Sequence, residues 1–167
     1  MQPWVKRAVE EANLFNPAFC ATLLTKAVVD FGKKSGGRPM PFALAFLVLP
    51  ITMHRATRQA LPGSTITSML PWLQEHREQL VDFPGRVKRL KPFSQEAIMF
   101  AIANGALAVE EGGGLVAGKN KVSTTEKKTE FFTAEARECV DRAGFLGRWL
   151  STAGASVTII AAWSIAL

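Results

Sequence analysis

The segment Pro39–His54, PMPFALAFLVLPITMH, runs sixteen residues without a formal charge and is followed directly by the cations Arg55 and Arg58. Left in water, such a stretch would forgo most of its apolar transfer free energy, so it belongs in a core or against a partner. A helical bilayer span takes about 20 apolar residues, and a proline inside a helix leaves a carbonyl without its donor. The segment therefore reads as a packed element of a soluble domain, helical to Leu49. Pro50 then turns the chain so that Arg55 and Arg58 emerge into solvent or onto an acidic partner.

Other boundaries follow from local chemistry. Asn16 before Pro17 is an N-cap followed by proline at the first helical position, and Phe19, Leu23, Ala27 and Phe31 recur at helical spacing, which predicts a helix over Pro17–Lys34 ended by Gly36 and Gly37. Ile66, Met69, Leu70 and Leu73 predict helix within 65–79, with a kink near Pro71. Pro84 opens a short basic element that Pro92 closes, and Ser94 caps a buried helix over Gln95–Asn104. Gly105–Gly118, with Gly112–Gly114 at its centre, predicts a β-hairpin. The polar stretch Lys119–Glu130 reads as an exposed connection; Thr133 caps a helix reaching about Thr152, and a last helix starts near Ser156 after Gly154.

These elements give an α+β, mainly α-helical fold whose order, helix then hairpin after two earlier helical elements, is that of a winged-helix-like core with C-terminal helices, although any α+β domain can carry one hairpin. With 167 residues, one domain is expected: a helical core plus hairpin over 17–118, the connection over 119–132 and a helical appendage over 133–167. Twenty Lys and Arg against fourteen Asp and Glu give +6, which draws the chain toward nucleic acid or an acidic protein face. Cys20 and Cys139 have no CxxC partner and no secretory h-region precedes them, so reduced thiols in the cytoplasm are expected.

Catalytic chemistry has little to build on. The two histidines, His54 and His76, sit in no nucleophile motif; His54 reads as closing the apolar helix and His76 as part of a solvated face. No HExxH or paired CxxC offers a metal site, and Gly112–Gly114 lacks the GxxxxGK[ST] pattern of a phosphate loop. The chain is thus expected to be no enzyme and to hold no cofactor, metal or small-molecule substrate. Two basic clusters remain as candidate contacts to DNA or an acidic partner: Arg86, Lys88, Arg89 and Lys91, and Lys119, Lys121, Lys127 and Lys128. The uncharged run Ala155–Leu167 reads as a helix docked on this core or on another subunit. Trp149, Ile159, Ile160 and Trp163, with Arg55 and Arg58, form the candidate partner interface.

Four runs, EANLFNPAFC at Glu11–Cys20, MPFALAFLVLPITMHRATRQALP at Met40–Pro62, FSQEAIMFAIANGAL at Phe93–Leu107 and GFLGRWLSTAG at Gly144–Gly154, together resemble the bacterial three-component ABC system middle-component family. The resemblance implies a small subunit without an active site of its own. It would couple an ABC ATPase of the SMC or Rad50 type to an effector in defence against phage and plasmids, with double-stranded DNA as a further expected contact and no membrane involved. The competing expectation is an autonomous winged-helix DNA-binding regulator.

Overall fold

A computed structural model of the chain describes residues 6–122 and 133–165. A short helix, α1 (Val9–Leu14), which the sequence pattern did not announce, leads into α2 (Pro17–Lys34). Asn16 caps α2 as its side chain dictates, its Oδ1 accepting from Ala18 N at 2.9 Å and Phe19 N at 3.4 Å. Gly36 and Gly37 take φ of 73° and 94° just past the helix end, the conformation that favours glycine.

α2 lies at the centre, packed against α3 (Phe42–Thr52), α6 (Phe83–Ala103) and α7 (Ala134–Thr152). α3 is the charge-free segment, and its Leu44, Ala45, Leu47, Val48, Leu49 and Ile51 are all buried. Pro50 lies inside α3, which runs on to Thr52 rather than stopping at Leu49. A proline in the last turn removes only one helical bond, and burial on nearly all sides holds the rest. Arg55 is exposed as expected, whereas Arg58, on the following α4 (Arg55–Ala60), is only 1% exposed.

The second correction concerns α6. Pro92 does not close a separate basic element; a single helix of 21 residues runs through it. The carbonyl that Pro92 leaves without a donor belongs to Lys88, on the solvent flank, where water can serve it, while Leu90, Ala97, Ile98 and Ala101 keep the opposite face buried. Ser94 accordingly caps nothing: it is fully buried in mid-helix. Within the stretch 65–79, helix α5 covers only Met69–Glu75, followed by a 3-10 turn at Arg77–Leu80. Pro71 falls in the first turn of α5, where a missing N–H is harmless, and Ile66 stays outside the helix, 91% exposed.

The hairpin is present as β1 (Leu107–Val109) and β2 (Leu115–Ala117), antiparallel with Ala108 opposite Val116. Its other edge is extended by Met40, which exchanges both backbone bonds with Leu115 at 2.9 and 2.8 Å. Among the described residues the architecture is thus mainly α-helical with one two-stranded sheet, and the order helix then hairpin is what it shares with a winged helix. Thr133 caps α7, accepting from Ala136 N at 3.1 Å.

α8 (Ser156–Ala162) folds back onto the core. Ile159, Ile160 and Trp163, together with Trp149 of α7, are 0–4% exposed, so these four side chains fill the chain's own interior and offer no face to a partner. Trp72, Trp149, Trp163 and Phe83 make one aromatic cluster, with Trp72 edge-on to Trp149 at 5.3 Å and Phe83 against Trp163 at 4.6 Å. The run Val9–Lys34 is long and apolar enough to cross a membrane, yet half of it is buried inside the fold, as a core helix is.

Candidate interaction grooves

Two adjoining surface grooves gather the functional candidates. The first, about 510 Å³, lies between the end of α1 (Glu11, Leu14, Phe15), the α3–α4 turn (Met53, His54) and the outer face of α6 (Asp82, Arg86, Arg89, Leu90, Phe93). The second, about 640 Å³, runs from Asn13, Leu14, Asn16 and Phe19 to Met53, Arg58, Glu135 and Cys139. Leu14 and Met53 line both, and Leu14 is 57% exposed on the ridge. Phe15 anchors α1 by stacking on Phe93 with ring centroids 4.3 Å apart.

The short α3–α4 turn serves both grooves because Thr57 and Arg58 reach in different directions. Thr57 Oγ1 lies 2.8 Å from His54 Nδ1 and accepts from Arg86 Nη1 at 3.0 Å. His54 does not close α3; it caps α4, its Nδ1 accepting from Thr57 N at 3.3 Å. That acceptor role assigns its proton to Nε2, and burial with the nearby Arg86 and Arg58 charges holds its pKa below the usual histidine range. Arg58 spends all three guanidinium nitrogens: Nη1 on Thr52 O at 2.9 Å, Nη2 on Glu135 at 2.9 Å and Nε on Glu138 at 3.0 Å. Burial works against its charge, but the carboxylates outweigh that and raise its pKa. An internal tie between α4 and α7 is its place, in correction of the partner role its sequence position suggested.

The basic cluster on α6 divides in the same way. Arg86 also donates to Pro50 O at 3.3 Å, where it serves the C-terminal end of α3. Arg89 pairs with Asp82 at 2.6 Å and holds that carboxyl below the usual range. Asp82 sits at φ 53°, with its carboxylate over Gly85, which has no side chain to obstruct it. Lys88 and Lys91 remain exposed without an ion pair among the described residues, as do Lys119 and Lys121 beyond the hairpin. Lys127 and Lys128 lie outside the described residues.

Cys20, Cys139 and His76 are structural. Burial pushes the Cys20 thiol up to about 12 and raises Cys139, so both are protonated at neutral pH and neither is an activated nucleophile. His76 donates from Nδ1 to Trp72 O at 2.9 Å and stacks on Trp72, half-buried rather than on a solvated face. Among the described residues no three of His, Cys, Asp and Glu gather as metal ligands.

Sequence reasoning missed the groove walls, namely Leu14, Phe15, Met53 and Phe93. The available signal was that Asn16 starts a new helix, so the apolar Leu14 and Phe15 had to lie on a preceding turn and find their own neighbours. The quoted runs Glu11–Cys20 and Met40–Pro62 meet here, with the start of Phe93–Leu107 as the third wall. The family model for the ABC-three component (ABC-3C) system Middle Component 3 matches residues 4–167. No curated protein and no solved structure matches the chain.

Proposed function

The chain belongs to the ABC-three component system Middle Component 3 family, and from that premise we propose that it is a non-catalytic adaptor coupling an SMC- or Rad50-like ABC ATPase to an effector in antiviral defence. Adaptor work needs a stable body with a docking face and no reacting groups. The observation that carries the reading is the convergence of the runs Glu11–Cys20 and Met40–Pro62 on the ridge shared by the two grooves, where Leu14 stands exposed. In this reading the ATPase docks over that ridge. The cytoplasmic setting belongs to the same proposal and is supported by the unpaired thiols Cys20 and Cys139.

Copurification tests the reading. Tagged chain expressed with the other two components of its system is expected to bring down the ATPase at physiological salt. Leu14→Glu, a charge placed on a side chain that is already 57% exposed, is expected to cut the recovered ATPase at least about tenfold while leaving the fold intact. Leu70→Glu, 40% exposed beside a different groove, is expected to change nothing. A chain that elutes alone, or a complex indifferent to Leu14→Glu, overturns the reading.

A further inference from the structure

We propose that the groove between α1 and α6 receives an acidic, apolar peptide segment of the ATPase component, and that Arg86 takes its carboxylate. The proposal rests on the docking reading above and adds the chemistry of what docks.

The groove holds two acids, Glu11 and Asp82, and two arginines, Arg86 and Arg89, and they are not equally paired. Of its two acids, Asp82 is paired with Arg89 at 2.6 Å, while Glu11 lies 4.0 Å from the guanidinium of Arg7, which Glu96 binds more closely at 2.7 Å. His54 is neutral, since its Nδ1 accepts and its pKa lies below the usual range. Arg86 is left as a half-buried cation without an ion pair among the described residues. Its Nη1 donates to Pro50 O and Thr57 Oγ1, its guanidinium lies over the Phe83 ring at 5.6 Å, and the residue lines the groove. A guanidinium that is partly desolvated and unpaired gains most from a carboxylate, which it can take through two parallel bonds.

The surroundings of Arg86 narrow the occupant. Leu14, Phe15, Met53, Leu90 and Phe93 supply apolar walls around Arg86. Such a lining suits a short segment with an Asp or Glu close to Leu or Phe side chains, the pattern by which apolar pockets fix position and one polar group fixes register. A phosphate backbone fits poorly: it brings an array of charges and no apolar side chains to a lining that is largely apolar.

The test uses the full chain and overlapping synthetic peptides covering the ATPase component, read by fluorescence anisotropy. The expected result is that binding peptides carry Asp or Glu within a few residues of Leu or Phe. Changing that carboxylate to its amide in the peptide should weaken binding at least about tenfold, as should Arg86→Gln in the protein, and the two losses should not add. Because Arg86 also holds Thr57 and Pro50, the peptide change is the arm free of any folding effect, and Arg86→Lys should retain only part of the affinity. Binding peptides that are neutral or basic, or an amide change without effect, overturn the proposal, as does a groove that binds only a second copy of the chain or duplex DNA. If Leu14→Glu releases the ATPase while Arg86→Gln does not, the acidic-segment chemistry fails and the docking face stands. If neither releases it, the docking face fails as well.

Discussion

Gly147→Ala is expected to destabilise the chain by about 3 kcal/mol, at the upper end of what overpacking a core costs. A Cβ at Gly147 would meet the backbone of Ala27 on α2, 2.8 Å from its carbonyl carbon and 2.9 Å from its Cα, with the carbonyl oxygen nearer still. Backbone cannot rotate away as a side chain can, so α2 and α7 would have to separate along their main contact. Ala27 and Ala143 are both 0% exposed at this crossing, and a Cβ on Gly144 would lie 2.6 Å from Asp30 Oδ2. Helix propensity alone favours alanine over glycine by about 1 kcal/mol, so the sign of the change decides which effect wins. Gly32→Ala is the control: it lies in α2 with only Arg38 O at 3.9 Å, and the same change there is expected to be neutral or stabilising. Urea midpoints of the two variants measure both, and a Gly147→Ala chain as stable as the parent would mean that the two helices do not cross so closely.

Arg58→Ala is expected to cost about 3 kcal/mol, the lower end of what breaking a buried ion pair costs. The side chain is 1% exposed, but Glu135 is 65% exposed at its own end and can return to water. The loss therefore falls on the vacated volume and on Thr52 O, which keeps only the Cys139 thiol at 3.5 Å. Glu135→Gln should cost well under about 1 kcal/mol, as partners in solvent do. Arg58→Lys should fall between them, since an ammonium cannot serve three acceptors on two elements in one plane. Denaturation of the three variants checks the order. Equal losses for Glu135→Gln and Arg58→Ala would mean that the charge pair, and not the buried stem, carries the tie.

What could be read from the sequence was set by chemistry local to the chain. Asn16–Pro17, Thr133 and the glycines of the hairpin act on neighbouring backbone, and each does in the structure what its side chain predicts. Pro50 and Pro92 were misleading because a local break was overridden by burial on both sides of it. Arg58 looked like an exposed cation because its acids lie far along the chain, on α7. Trp149, Ile159, Ile160 and Trp163 were legible as buried but not as buried by this chain itself, since apolar pattern names no partner. The grooves were the least visible feature. The first groove's walls come from α1, the α3–α4 turn and α6, and only packing brings Leu14, Met53 and Phe93 together.

The central claim is that this chain docks its ATPase over the Leu14 ridge. Amide hydrogen exchange, measured on the chain alone and in the assembled complex, tests it most directly because it reports every described segment at once. The account predicts new protection over residues 11–19, 53–57 and 82–93, with the hairpin at 107–117 unchanged. Protection that instead falls on the hairpin or on α8 and leaves residues 11–19 as exchangeable as in the free chain would contradict it.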